Sequence, residues 1–146
     1  MTTLVLERLL AAPIATVFEF VTRETKLLEW WGPEGMTIPE GDLDFTKPGP
    51  WFSVMQNAEG ATFKVSGQVT TVSPYDRVAF TWAWHDEKDQ RGSESHVIID
   101  LTEAGKDITK LVLTHNDLAD EESAKNHDMG WTSSLRKLER KFPIRD

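Results

Sequence analysis

The chain lacks cysteine altogether over its 146 residues. This absence excludes disulfides, thiolate metal centres and thiol nucleophiles, and it suits a reducing compartment. Basic residues are also few, since 16 lysines and arginines stand against 24 aspartates and glutamates, for a formal net charge of −8. Because lysine and arginine hold phosphate backbones and anionic lipid surfaces, we expect neither nucleic acid nor a membrane as a partner.

Long hydrophobic runs are missing as well, and no stretch reaches the length that a bilayer crossing requires. The apolar N-terminus has no basic segment before it and is interrupted by Glu7, Arg8 and Pro13, unlike a signal peptide. Linkers rich in glycine and serine and internal repeats are also absent. We therefore expect one cytoplasmic domain over residues 1–146, as a monomer or a homodimer.

Helical spacing of apolar residues occurs twice near the N-terminus and once at the C-terminus. The expected elements there are a strand over 4–11, helices from Pro13 and over 24–31, and a long helix over roughly 121–142. Gly32 and Pro33 are expected to end the second helix. The last helix carries a narrow apolar stripe and can be capped by Asp117 or Asp120.

Between these helices the apolar residues alternate with a period of two. The spacing predicts strands over 36–45, 51–57, 61–72, 77–85, 95–102 and 108–116. Short segments of turn-forming residues separate the strands, so an antiparallel sheet is expected. One long helix with a narrow stripe cannot fill a curved sheet along its whole length, and a cavity is therefore expected between helix and sheet.

The six tryptophans are many for a core of this size. Trp30 and Trp31 stand together at the end of the second helix, and either core packing or a pocket rim would explain them. Trp82, Trp84 and Trp131 come from two elements that should face each other across the cavity. Rings around an apolar space suit a flat or aliphatic ligand.

The four histidines have no spacing typical of a metal site, so we expect no metal and no cofactor. His115 is expected to point into the cavity, and His127 precedes Trp131 by one helical turn. Each is either a buried core histidine, a polar anchor for a ligand oxygen or a general base. Nucleophile elbows and phosphate loops are absent, so no catalytic residue is assigned.

Gly130 lies inside the last helix, where glycine costs ~1 kcal/mol relative to alanine. Either the helix bends there, or a neighbouring group needs the space that a side chain would occupy. If Gly130 sits against the sheet or the cavity wall, Gly130→Ala is expected to lower stability or ligand affinity.

Several segments, in this order, resemble one protein family. They are "AAPIATVFEFVT", "EWWGP", "VSGQVTTVSPYDRVAFTWAW", "THNDL" and "NHDMGW". The set covers nearly the whole chain and resembles the AHSA family, named for an activator of the cytosolic heat-shock chaperone's ATPase, within the START/Bet v-like (SRPBCC) superfamily. The resemblance implies an α+β helix-grip fold, in which a curved antiparallel sheet wraps around a long C-terminal helix and two short helices follow the first strand. Families of this fold bind lipids, sterols, polyketides and plant hormones beneath that helix, and a few are cyclases or aromatases.

Two departures from the family narrow what the resemblance implies. The family usually has Asp-x-Arg-x-Gly-Gly-aromatic where this chain reads "DFTKPGPW" at 44–51, so the arginine is missing and a proline replaces the second glycine. The chaperone activator also has a large N-terminal domain that this sequence does not include. We therefore expect no appreciable stimulation of a chaperone ATPase by this chain.

The leading hypothesis is the binding of a small hydrophobic molecule between the C-terminal helix and the sheet, with His115 as the main polar anchor. One alternative is a co-chaperone-like protein-interaction module, which needs a filled interior and an exposed patch. The other is a cyclase or dehydratase, which needs a titratable pair inside the cavity. The residues expected to contact the ligand are Trp31, Trp51, Phe63, Phe80, Trp82, Trp84, Leu113, His115, His127, Trp131 and Leu135.

Overall fold

The computed structural model describes residues 2–144. Its strands are β1 (Thr2–Leu10), β2 (Thr37–Asp42), β3 (Gly49–Gln56), β4 (Thr62–Ser73), β5 (Arg77–Trp84), β6 (Ser95–Gly105) and β7 (Ile108–Leu118). Its helices are α1 (Ile14–Thr22), α2 (Glu24–Leu27) and α3 (Glu121–Lys141). Within these residues the seven strands form one antiparallel sheet in the order β1-β7-β6-β5-β4-β3-β2. The sheet, the two short helices and the long last helix are the helix-grip arrangement that the sequence implies.

The inner face of the sheet follows from the period of two in the sequence. In β5, Val78, Phe80 and Trp82 are buried, and Trp84 continues the same face at 36% exposure. In β6 and β7 the register sets a second block of buried residues against one another. These pairs are Val97 with His115, Ile99 with Leu113, and Leu101 with Leu111. Alternation along each strand therefore determines which side chains enter the core.

The second helix is shorter than expected. It covers only Glu24–Leu27 rather than 24–31. The chain continues from this helix in a hydrogen-bonded turn, in which the amides of Trp30 and Trp31 both donate to the carbonyl of Leu27, at 3.0 and 2.8 Å. Gly32 then turns the chain at a φ of +86°, a backbone conformation that glycine adopts without a steric penalty.

The last helix is capped by Asp120, whose carboxylate accepts from the amide of Ser123 at 2.8 Å. Asp120, rather than Asp117, is therefore the N-cap. The apolar stripe of α3 is buried, and the helix packs mainly against β1 and, to a smaller extent, β7. The N-terminal half of α3 meets β5 through side chains, since His127 accepts from the Trp84 indole at 3.0 Å and the Trp131 ring centroid lies 5.1 Å from that of Trp82. None of the helices within residues 2–144 combines the length and the apolar composition that a bilayer span demands.

Candidate ligand-binding cleft

A cleft of about 630 Å³ lies where α3 and the sheet diverge. Its walls are the N-terminal half of α3, the β3–β5 side of the sheet and the turn over 31–36. It is lined by Trp31, Gly32, Pro33, Met36, Met55, Phe63, Trp82, Trp84, Asp120, Glu122, Ser123, Asn126, His127, Gly130, Trp131 and Ser134. This volume lies in the range of small-molecule sites in proteins.

The two adjacent tryptophans have different positions. Trp30 is fully buried, donates its indole N–H to the Phe20 carbonyl at 2.8 Å and does not line the cleft. Trp31 is 2% exposed and donates to Ser53 Oγ at 3.0 Å, and one side of it forms part of the cleft wall. Its ring centroid lies 5.7 to 6.3 Å from those of Trp30, Phe45, Trp51, Phe80, Trp82 and Trp131. Trp30 is thus a core residue, whereas Trp31 belongs both to the core and to the cleft.

A buried hydrogen-bond chain lies behind the cleft wall. The indole N–H of Trp131 donates to Nδ1 of His115 at 3.1 Å, so the proton of the neutral imidazole sits on Nε2. That nitrogen donates to Ser95 Oγ at 2.7 Å, and Ser95 donates to the Trp82 carbonyl at 3.2 Å. Burial, with smaller contributions from the charges of His127 and His96, lowers the pKa of His115 from 6.5 to about 3.

His127 lines the cleft and has the tautomer opposite to that of His115, with the proton on Nδ1. Its Nδ1 donates to the Ser123 carbonyl at 2.7 Å, and its Nε2 accepts from the indole N–H of Trp84 at 3.0 Å. Burial lowers the pKa of His127, and the bond to Ser123 opposes that shift in part. Both histidines are therefore neutral with both nitrogens engaged, which leaves no free general base in this pair.

The sequence-predicted site residues fall into two sets. Lining the cleft are Trp31, Phe63, Trp82, Trp84, His127 and Trp131. Outside it, at 2% exposure or less, are Trp51, Phe80, Leu113, His115 and Leu135. His115 is fully buried and is not among the lining residues, and its two nitrogens are engaged by Trp131 and Ser95.

Trp51 shows why an inner-face residue can miss the cleft. It lies opposite Gly67 in the register of β3 and β4, and its indole N–H donates to the Thr81 carbonyl at 3.1 Å. A Cβ on Gly67 would overlap the Thr81 carbonyl, so only glycine leaves this approach open. The indole therefore crosses β4 toward β5 and does not line the cleft.

Several cleft residues were not predicted from the sequence. On α3 and its N-cap these are Asp120, Glu122, Ser123, Asn126, Gly130 and Ser134, and elsewhere they are Gly32, Pro33, Met36 and Met55. Ser123, Gly130 and Ser134 lie at i, i+7 and i+11, the same side of α3 as His127, so helical spacing could have found them. None of residues 44–50, where the family's arginine and second glycine are missing, lines the cleft.

Gly130 does not fill the expected role. The helix continues through it, and an added Cβ would meet only the Cγ of Pro33 at 3.9 Å, an ordinary van der Waals contact. Gly130 lines the cleft, yet nothing occupies the space of a methyl group there. For stability we therefore expect the opposite effect of alanine at this position, whereas the loss of ligand affinity stays a prediction.

One further cluster has the order of a serine hydrolase triad. Ser66 Oγ lies 2.6 Å from His85 Nε2, and His85 Nδ1 lies 2.7 Å from Asp89 Oδ1. None of the three lines the cleft, and Ser66 Oγ also accepts from Arg91 Nε at 3.0 Å. These bonds tie β4 to the 85–91 turn, and we assign them no chemistry. Within residues 2–144 no group of histidine, aspartate and glutamate has the arrangement of a metal site.

Comparison with known proteins agrees with this architecture. The family described as "Activator of Hsp90 ATPase homolog 1-like protein" matches residues 11–142. The crystal structure of the AHSA1 protein from Silicibacter pomeroyi is 51% identical, covers 96% of each chain and superposes with a TM-score of 0.92. A Chromobacterium violaceum protein, 20% identical over 99% of this chain and 100% of its own, has a TM-score of 0.83 and shows the fold alone. Among curated proteins none matches the chain. The match over residues 11–142 and the 51% identity place this chain in the family of Activator of Hsp90 ATPase homolog 1-like proteins.

Proposed function

We propose that this protein binds a small hydrophobic molecule in the cleft between α3 and the β3–β5 side of the sheet. The observation that carries the proposal is the mostly apolar lining of the 630 Å³ space, in which seven of the sixteen residues carry large aromatic or thioether side chains. These side chains are Trp31, Phe63, Trp82, Trp84, Trp131, Met36 and Met55. Burial of apolar ligand surface against them would supply affinity at ~25 cal/mol per Å².

The rim of the cleft supports the same proposal. Phe63 is 42% exposed and Trp84 is 36% exposed, although both belong to the inner face of the sheet. Exposed aromatic surface in a concave site is typical of a binding surface. A ligand seated there would cover both rings, and Asn126, which also lines the cleft, can orient a polar group of the ligand.

The test is a titration with Nile red, a neutral dye whose emission reports an apolar environment. We expect saturable binding at one site in the wild type. Gly130→Leu should abolish it, because the leucine side chain would project past Pro33 into the cleft. The matched control is Met129→Leu, one residue away on α3, 65% exposed and outside the cleft lining. Absence of wild-type binding, or equal binding by Gly130→Leu, would contradict the proposal.

A second candidate is a protein-interaction module. It is favoured by β1, which forms one edge of the sheet and exposes Val5 at 58% and Leu9 at 47%. The family name refers to activation of the Hsp90 ATPase, and an ATPase assay with micromolar protein tests that role directly. We expect no appreciable stimulation, and a clear stimulation would make this the leading function.

The cytoplasmic location remains a prediction from composition.

A further inference from the structure

We propose that the cleft selects a hydrophobic cation, a protonated or quaternary amine on an apolar body, over neutral and anionic molecules of the same shape. This inference rests on the proposed function and names the ligand class for the same site. Among the described residues that line the cleft there is no lysine or arginine, whereas Asp120 and Glu122 both lie there. A carboxylate or phosphate ligand would therefore find no ion-pair partner in the lining.

The aromatic walls provide the attraction. Indole is the strongest of the side-chain rings in cation–π contact, and four of the six tryptophans line this one cleft. Trp82 and Trp84 form a corner of the lining, an edge-to-face pair at 89° with centroids 5.4 Å apart in which Trp84 is the more exposed ring, at 36%. The hydrogen bond from Trp84 to His127 holds that corner in place before any ligand arrives.

The N-terminus of α3 also lies at the cleft and taken alone would favour an anion, with about half a positive charge. Here, however, the cap is occupied, because the Asp120 carboxylate accepts from the Ser123 amide. Glu121 and Glu122 follow in the first turn. Three full negative charges outweigh half a positive one, so the field at the cleft mouth attracts cations.

Nearby basic side chains do not offset the negative charge at the cleft mouth. Lys125 lines a different groove on α3, and Lys64 pairs with Asp89 at 3.2 Å. Lys137 donates to the backbone carbonyl of Trp31 at 3.4 Å and is not part of the cleft lining. The exposed rim also lets a bound ammonium keep part of its hydration, which limits the desolvation that opposes cation binding.

Three naphthalene probes of nearly equal shape test the inference by isothermal titration calorimetry. They are trimethyl(2-naphthylmethyl)ammonium, its carbon isostere 2-neopentylnaphthalene, and 2-naphthylacetate. We expect the cation to bind about tenfold tighter than the isostere, the size of a partly desolvated cation–π contact with added charge attraction. The anion should bind at least about tenfold more weakly than the isostere.

Three variants locate the preference. Glu122→Gln should lower the cation-to-isostere ratio about two- to threefold, and Glu121→Gln, the same charge change outside the lining, should lower it less. Phe63→Leu should weaken the cation while leaving the isostere within about twofold. If the isostere binds but the cation binds no tighter, or the anion binds as tightly, the inference is wrong and the proposed function stands. If none of the probes binds, the proposed function is itself wrong.

Discussion

The rings of His115 and His127 lie with centroids 4.8 Å apart, and each imidazole is fixed in a neutral tautomer by its hydrogen bonds. The first is anchored to Ser95 in the sheet and the second to Ser123 in α3. The other nitrogen of His115 accepts from Trp131 of α3, and the other nitrogen of His127 accepts from Trp84 of β5. The junction between α3 and the sheet therefore depends on two uncharged histidines.

The first prediction concerns pH. Since the pKa of His115 falls from 6.5 to about 3 on folding, the unfolded chain binds the extra proton between these values. The contribution of neutral His115 to the free energy of unfolding is complete above pH 6.5, and it is lost as pH falls from 6.5 toward 3. We expect the free energy of unfolding at pH 4.5 to lie about 2–3 kcal/mol below its value at pH 7.5 through this group.

Urea titrations of the wild type and of His115→Gln at both pH values test this. The variant is less stable at pH 7.5, because the bonds to Ser95 and Trp131 change, but its loss between pH 7.5 and 4.5 should be smaller. An equal loss in both proteins would show that other groups, carboxylates among them, account for the acid sensitivity.

The second prediction compares two buried indoles. The N–H of Trp82 has no hydrogen-bond partner within the described residues, whereas that of Trp51 donates to the Thr81 carbonyl. Replacing Trp82 by phenylalanine removes a donor that has no partner. Replacing Trp51 by phenylalanine breaks its hydrogen bond to the Thr81 carbonyl, and that carbonyl loses one donor. We expect Trp51→Phe to cost about 1–2 kcal/mol more than Trp82→Phe in chemical denaturation. A larger loss for Trp82→Phe would mean that its N–H does have a stabilising partner.

The third prediction concerns Gly130. An added methyl group fits against Pro33, and alanine favours the helix, so Gly130→Ala should raise the free energy of unfolding by about 0.5–1 kcal/mol. Thermal denaturation measures the change, with Met129→Ala on the exposed side of α3 as the reference substitution. A fall in melting temperature for Gly130→Ala alone would place an obstacle at this position.

The fourth prediction separates folding from binding. Trp30→Ala should lower the free energy of unfolding by about 3–5 kcal/mol, because the ring is fully buried and its N–H holds the Phe20 carbonyl. Trp84→Ala, at a residue 36% exposed, should cost less stability and weaken Nile red by about 1–2 kcal/mol. Trp131 touches both the cleft and His115, so its truncation should affect both properties. If Trp84→Ala leaves dye affinity unchanged, the rim does not contact the ligand.

Local sequence patterns predicted most of the fold. Alternation in "VAFTWAW" identified the inner face of β5, and turn residues set the hairpins, because both depend on neighbouring residues only. Local patterns could not show that Trp82 and Trp84 line the cleft whereas His115 does not, since all three occupy inner-face positions. The bond from Trp131 to His115 joins distant parts of the chain, and no local period encodes such a contact.

The pairing of β1 with β7 has a consequence for folding. Thr2 lies opposite Leu118, so the N-terminal strand meets its neighbour only across nearly the whole domain. Closing so long a loop is entropically expensive and slow, whereas the five other strand pairs join neighbours in the chain. During synthesis on the ribosome, β1 must wait unpaired until β7 has emerged, and Val5 and Leu9 then lie on an open strand edge available to other chains. We therefore expect the β1–β7 pair to form late in folding, with β1 open to association with other chains until then.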